Sequence, residues 1–248
     1  MNTNTLERLR IMRLYGMYRC FKTSLENKTN ETLTCDEITA LLVESEWDDR
    51  RNKSVEQRIR YAHFRYKANI EEWDFAKSRG ITKNQVFRLG DCDFIRNNEN
   101  LIITGATGTG KSYLASAIGY QACQLNFKVL YTNTTRLFAQ LKIAKADGSE
   151  IREMQKIEKA DLSILDDFGI QTLDQQSRSI LMEIIEDRHG KRSTIITSQV
   201  PVKEWYDIIG EKTIADAILD RIVHNAHRIE LTGESLRKKV TLEIEQKK

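Results

Sequence analysis

The stretch GATGTGKS, residues 105–112, decides the fold that this sequence predicts. It matches the pattern G-x-x-x-x-G-K-[ST] at every fixed position, and it stands between an apolar run at 99–105 and a helical pattern at 111–126. Its glycines allow the backbone to curl so that N–H groups point at phosphate oxygens, and the first turn of the helix adds a positive dipole end. The stretch therefore predicts a phosphate-binding loop between a strand and a helix.

This loop gives its residues predicted roles. Lys111 is expected to reach the β- and γ-phosphates of a nucleoside triphosphate, and the Ser112 hydroxyl is expected to ligate Mg²⁺. We therefore expect ATP and Mg²⁺ as cofactors. The predicted nucleotide contacts are Gly105, Ala106, Thr107, Gly108, Thr109, Gly110, Lys111, Ser112 and Tyr113.

Strands and helices alternate along the chain outward from the loop. The predicted strands are 99–105, 128–133, 160–167, 193–199 and 227–232, with helical patterns between them. Strands separated by helices of this length predict a parallel, five-stranded sheet in a three-layer αβα core. Residues 1–85 have helical patterns, among them 37–50 and 54–67, and a Thr34–Glu37 capping box precedes the first of these. The sequence thus predicts a small all-α domain at 1–85 and a nucleotide-hydrolysing domain at 86–248.

Two aspartates end the predicted third strand. Asp166 is expected to hold the Mg²⁺ shell, because an acidic side chain on a neighbouring strand is the usual complement of a phosphate loop. Asp167 is expected to orient water toward the γ-phosphate, or else it only caps the next segment. Ser198, at the end of the fourth strand, would sense the γ-phosphate or fix the attacking water, or would only satisfy backbone groups. Together these residues predict a Mg²⁺-dependent ATPase.

The composition favours a globular protein with modest net charge. Hydrophobic residues make up 40% and charged residues 30% of the 248 residues, and the formal net charge is only +3. Any nucleic-acid surface must therefore be a local patch. The four scattered cysteines form no CxxC pair and favour reduced thiols in a cytoplasmic protein. The first 22 residues hold no uninterrupted apolar stretch, so we expect neither a signal peptide nor a membrane partner.

Four stretches carry a resemblance to a known family: GATGTGKS, LSILDDFG, STIITSQVP and IADAILDRIVHNAHRIELTGESLRKK. They resemble the IstB-type helper ATPases of insertion-sequence transposons, which belong to the AAA+ clade that also holds DnaC- and DnaI-type helicase loaders. The resemblance covers roughly 1–245. It implies that Arg221 is an arginine finger delivered to a neighbouring subunit and that Arg237 is a sensor-2-like arginine. It also implies that an Asp-Asp pair is the family's usual strand end.

The resemblance implies a function as well. It implies a homo-oligomer that assembles on duplex DNA with ATP, hydrolyses ATP slowly, and helps a transposase to select and engage target DNA. Two alternatives stay open. One is a helicase loader of the same clade, and the other is a small-molecule P-loop kinase, which would not need DNA.

Two basic segments are candidates for DNA contact. Residues 50–67 hold seven lysines or arginines against one glutamate, and basic side chains at phosphates give affinity without sequence choice. The resemblance implies that helices between the second and third strands also face DNA. A solvated charged face is the other interpretation of both segments. The predicted contacts are Arg50, Arg51, Lys53, Arg58, Arg60, Lys142, Lys145 and Arg152.

Overall fold

Five parallel β-strands and eleven α-helices are assigned over residues 2–29, 32–75 and 79–235, which this computed structural model describes. The strands are β1 (Asn100–Gly105), β2 (Val129–Asn133), β3 (Leu162–Phe168), β4 (Ser193–Ser198) and β5 (Ala226–Leu231). They form one sheet in the order β2-β3-β4-β1-β5, and every neighbouring pair is parallel. The predicted fold class is confirmed, and each strand lies within two residues of its predicted bounds.

The helices are α1 (Asn2–Ile11), α2 (Tyr15–Glu26), α3 (Cys35–Ala62), α4 (Lys83–Gly90), α5 (Asp93–Arg96), α6 (Lys111–Gln124), α7 (Thr134–Asp147), α8 (Glu150–Glu158), α9 (Gln175–Arg188), α10 (Trp205–Ile209) and α11 (Lys212–Val223). Two short 3₁₀ helices cover Ile70–Glu72 and Val202–Glu204. Among the described helices, none combines the length and the apolar character that crossing a bilayer requires.

Helix α3 is one continuous helix where the sequence predicted two. The expected capping box at its start is confirmed, because Thr34 N donates to Glu37 Oε2 over 2.8 Å and Glu37 N donates to Thr34 Oγ1 over 3.3 Å. No proline or glycine interrupts the polar stretch between the two predicted helices, so the backbone continues through it. The helix ends at Ala62, and His63 follows with a left-handed φ of 57°.

The chain forms two compact units, residues 1–57 and 58–248. The first contains α1, α2 and most of α3. Within it, the buried carboxylate of Glu46 accepts the backbone N–H groups of Gly16 (2.8 Å) and Met17 (3.3 Å). A Cβ at Gly16 would lie 2.3 Å from the Ser45 carbonyl oxygen, so the start of α2 can pack this closely on α3 only through glycine.

The second unit has the expected three layers. Side chains alternate along the strands, so Leu101 and Ile103 join the apolar cluster under α6, while Ile102 joins the cluster under α9 and α11. Residues 62–73 contribute Ala62 and Trp73 to the first of these clusters. The compact unit therefore begins before the predicted functional boundary at 85/86, which stays a prediction.

The strand order brings the chemistry to one edge of the sheet. All strands are parallel, so the loop after β1 and the ends of β3 and β4 lie at the same carboxyl edge. Strand β4 separates β1 from β3. Ligands of open α/β sheets bind at such an edge, which makes it the place to look for a site.

Candidate nucleotide-binding site

The predicted phosphate loop connects the last residue of β1 to the first residue of α6. Gly110 precedes the helix with φ 101°, a conformation that favours glycine. The Lys111 side chain is buried, and its ammonium donates to the carbonyl oxygens of Gly105 (2.7 Å) and Ala106 (2.8 Å). The charge is thus folded back into the loop, next to the backbone that would surround the phosphates.

Gly105 is required by close packing as well as by its conformation. Its φ is 145°, and a Cβ at this position would lie 2.2 Å from the carbonyl oxygen of Leu231 at the end of β5. A larger residue would push β5 away from the loop. Because glycine has no side chain, the loop can leave the end of β1 without pushing β5 away from it.

Asp166 is a fully buried carboxylate at the carboxyl edge of β3. Its Oδ2 accepts a hydrogen bond from the Tyr131 hydroxyl, and its Oδ1 accepts one from the Thr197 hydroxyl. Burial raises the pKa of the Tyr131 phenol, and the bond to Asp166 raises it further, so Tyr131 keeps its proton at neutral pH. The carboxylate is thereby held in one orientation by donors on both adjacent strands.

Asp167 occupies a β-bulge. Leu165 pairs with Ile196 and Phe168 pairs with Ser198, so two residues of β3 stand opposite the single residue Thr197. Asp167 has a left-handed φ of 59°, and its N–H donates to Thr197 Oγ1 over 3.0 Å. In a regular strand, consecutive side chains would point to opposite faces.

The bulge turns both carboxylates toward the same group. Nη1 of Arg65 lies 3.1 Å from Oδ2 of Asp167 and 3.6 Å from Oδ2 of Asp166. The Asn133 side chain also donates to Asp167 over 3.3 Å. Asp167 is therefore part of the polar cluster at the sheet edge as well as a turn residue.

The two hydroxyl groups at the end of β4 have different partners. Ser198 is buried, and its hydroxyl donates to the Phe168 carbonyl (2.7 Å) and accepts from Val200 N (3.1 Å). These are the backbone contacts of the simpler interpretation, and its water-positioning role stays a prediction. Thr197, which the sequence analysis did not single out, lies between the two aspartates instead. Only the register of β3 against β4 could have identified it.

Arg221 lies at the other end of the sheet. Its Nε pairs with Glu186 Oε2 at 2.7 Å, and its Nη1 donates to the Ala217 carbonyl at 2.9 Å. The neighbouring Ile222 carbonyl accepts from the Asn100 side chain (3.3 Å), at the first residue of β1. A strand of this length spans about 17 Å, so the guanidinium is far from the phosphate loop of its own chain. Arg237 lies outside the described residues.

The sequence of the chain matches a known family along almost its whole length. Residues 7–244 match the sequence model of the family described as IstB-like ATP binding protein. The chain belongs to this family. The resemblance stated from the four motifs is thereby confirmed.

Individual relatives agree with the assignment to the IstB-like family. A protein of Sinorhizobium fredii, named as an insertion-sequence ATP-binding protein, y4pL, is 46% identical over 234 residues, which cover 94% of this chain and 96% of the relative. The ATP-binding protein of insertion sequence IS1162 from Pseudomonas fluorescens is 39% identical over 202 residues, which cover 81% of this chain and 87% of that protein. The crystal structure of DnaI superposes with a TM-score of 0.58 at 24% identity, over 67% of this chain and 92% of DnaI. That last likeness supports the AAA+ type of fold.

The donors at the sheet edge of this IstB-like chain fit Mg²⁺ brought by a nucleotide. Mg²⁺ keeps several waters and takes few protein ligands beside phosphate oxygens. Ser112 at the start of α6 and Asp166 at the end of β3 are oxygen donors of this kind. Within residues 2–29, 32–75 and 79–235, no three His, Cys, Asp or Glu side chains cluster as a metal cage would require. An ion held mainly by phosphates therefore fits this IstB-like site better than an ion held by protein alone.

The predicted DNA contacts of the IstB-like chain lie on helices, and several of them have acidic partners. In residues 1–57, Arg50 pairs with Glu46 (2.8 Å) and Lys53 with Asp49 (2.6 Å). In residues 58–248, Lys142 pairs with Asp174 at 2.6 Å. The exposed members of the predicted set are Arg50, Arg51, Lys53, Arg60, Lys145 and Arg152, while Arg58 is half-buried. These contacts stay predictions.

Proposed function

We propose that this protein is an ATP-hydrolysing assembly factor that binds duplex DNA as a homo-oligomer and assists a transposase in selecting its target. The observation that carries the proposal is the bulged acidic pair at the same sheet edge as the phosphate loop, in a chain of the IstB-like family. ATP is the cofactor that the family description names. The names of the relatives, which refer to insertion sequences, support the link to transposition.

The chemistry of hydrolysis is assigned to the residues of this edge. Lys111 exchanges the carbonyls of Gly105 and Ala106 for β- and γ-phosphate oxygens, which keeps its ammonium hydrogen-bonded at each stage. Ser112 and Asp166 would hold Mg²⁺, which would neutralise charge on the phosphates. Asp167 orients the attacking water, and its left-handed backbone is what turns the carboxylate toward the site.

Assembly is proposed because the guanidinium of Arg221 lies far from the phosphate loop of its own chain and cannot serve the γ-phosphate there. Arg221 lies near the amino end of β1, about a strand's length from the loop. A head-to-tail contact can bring the amino edge of one subunit to the carboxyl edge of the next. Arg221 then stabilises transition-state charge in its neighbour's site, and hydrolysis depends on assembly.

DNA binding is assigned to the exposed cations of α3, α7 and α8. The pair of Lys142 with the exposed Asp174 is worth little and exchanges readily for a phosphate contact, while Arg50 and Lys53 are exposed cations beside the largely buried carboxylates of Glu46 and Asp49. Binding is therefore expected to weaken with salt and to show little sequence preference. All four cysteines are free, and free thiols agree with action in the cytoplasm.

Electron microscopy of the protein with duplex DNA tests the proposal. Samples contain ATP, ADP or no nucleotide, and Lys111→Ala is the matched variant. Ordered assemblies on DNA that need both ATP and Lys111 support the proposed function. Monomers under all conditions contradict it, and so do assemblies that form equally with ATP, with ADP and without nucleotide.

A helicase loader is the second candidate, because the fold is similar to that of DnaI. The two functions differ in the partner protein. Pull-downs with an insertion-sequence transposase and with a replicative helicase separate them. Retention of the helicase alone favours the loader.

A further inference from the structure

Arg65 supplies a positive charge to the acidic pair. Asp166 is fully buried, and the hydroxyls of Tyr131 and Thr197 that bind its carboxylate carry no charge. An ionised carboxylate out of water is costly unless a cation compensates it. The guanidinium of Arg65, 3.6 Å from Asp166 and 3.1 Å from Asp167, provides that compensation.

The position of Arg65 is fixed by its neighbour Phe64. The Phe64 ring packs 6.2 Å from the rings of both Tyr120 and Tyr131. A Cβ at Gly119 of α6 would lie 2.6 Å from this ring, so the helix accommodates Phe64 because it has a glycine there. Arg65 therefore extends toward the aspartates from an anchored backbone. The contact is a built feature of residues 58–248.

The same carboxylates are the ones assigned above to Mg²⁺ and to water. Two cations at the Asp166 oxygens repel each other, so a divalent ion that arrives there has to move the guanidinium away. We propose that Arg65 is the resident countercation of the acidic pair and that Mg²⁺, arriving with the nucleotide, displaces it. Arg65 thereby sets how strongly nucleotide binding depends on Mg²⁺. This inference rests on the proposed nucleotide site, and it adds a residue that competes with the metal.

The direct test measures metal binding without nucleotide. Mn²⁺, a paramagnetic stand-in for Mg²⁺, is titrated into the full chain and followed by electron paramagnetic resonance. Arg65→Gln should bind Mn²⁺ about tenfold more tightly than the parent, the effect expected of one competing charge-assisted contact. Arg65→Lys keeps the charge and should stay within about threefold of the parent. Lys67→Gln, the same charge change at an exposed position two residues away, should equal the parent.

The second measurement is the affinity for a fluorescent ADP analogue in Mg²⁺ and in EDTA. The ratio of the dissociation constant in EDTA to that in Mg²⁺ should rise about tenfold in Arg65→Gln, because in EDTA the acidic pair has no countercation and repels the phosphates, and in Mg²⁺ the ion meets no competitor. Side-chain exposure of 44% makes a folded variant the expectation, and thermal unfolding checks it. Arg65→Met repeats the test with the aliphatic stem retained.

Two results overturn the inference. One is an Arg65→Gln protein with the parent's Mn²⁺ affinity and the parent's ratio. The other is an equal loss of nucleotide affinity in Mg²⁺ and in EDTA, which would mean that Arg65 binds phosphates and does not compete with the ion. If the parent binds no nucleotide at all, the proposed function fails, and the Mn²⁺ titration still decides the role of Arg65.

Discussion

Replacing Thr197 with valine should destabilise the folded protein by removing one hydroxyl at the centre of the site. The hydroxyl donates to the buried carboxylate of Asp166 and accepts from the N–H of the bulged Asp167. A hydrogen bond to a charged group contributes about 1.5–3 kcal/mol and a neutral one about 1 kcal/mol. Valine has nearly the same shape and leaves both groups without this partner. We therefore expect Thr197→Val to lower the free energy of unfolding by about 2–4 kcal/mol.

Thr197→Ser is the matched control, because it keeps the hydroxyl and removes only the methyl group. Its cost should be about 1 kcal/mol, the usual range for one buried methyl. Urea unfolding, followed by far-ultraviolet circular dichroism at neutral pH without nucleotide, measures both variants against the parent. A serine variant that loses as much stability as the valine variant would refute the argument, since the hydroxyl would then contribute nothing.

The remaining predictions concern the nucleotide cycle. Lys111→Ala should abolish ATP binding, measured with a fluorescent analogue, because it removes the buried ammonium that lies within the loop; binding at the parent's affinity would contradict this. Asp167→Asn should keep ATP-dependent assembly on DNA and lose turnover, since asparagine tolerates the left-handed φ but carries no charge. Turnover at the parent rate, by phosphate release, would mean that Asp167 is only a turn residue. Arg221→Ala should bind ATP normally and hydrolyse it poorly, and mixing it with Lys111→Ala should restore part of the turnover, because each supplies what the other lacks. A mixture no more active than its parts argues against action between subunits.

The local sequence predicted the architecture well. GATGTGKS stands where β1 meets α6, and apolar runs separated by helical patterns mark all five strands. These features depend on neighbouring residues alone: glycine conformations, helix periodicity and strand length. The prediction of two helices in place of α3 was wrong. The polar stretch between them was interpreted as a helix break, although it contains no glycine or proline.

The sequence was less informative about what each polar side chain contacts. Ser198 and Thr197 are adjacent, and both are suitable hydroxyl donors by residue type. Because of the register between β3 and β4, the Thr197 hydroxyl bonds to the two aspartates and the Ser198 hydroxyl bonds to backbone groups. Arg65 belongs, by sequence, to a basic run that suggested DNA. Its contact with Asp167 joins residues 102 positions apart, and no local pattern encodes such a contact.

The sequence by itself determined the phosphate loop and the αβα core, since both follow from short-range spacing and residue type, and the resemblance of its motifs to known proteins indicated the family. The tertiary structure alone decided how the two aspartates are used. A bulge against Thr197 gives Asp167 its left-handed backbone and turns it to the side of Asp166, and Phe64, anchored at Gly119, brings Arg65 to both. The physical reason is that side-chain direction depends on strand register and packing, and both of these are set by residues distant in the chain.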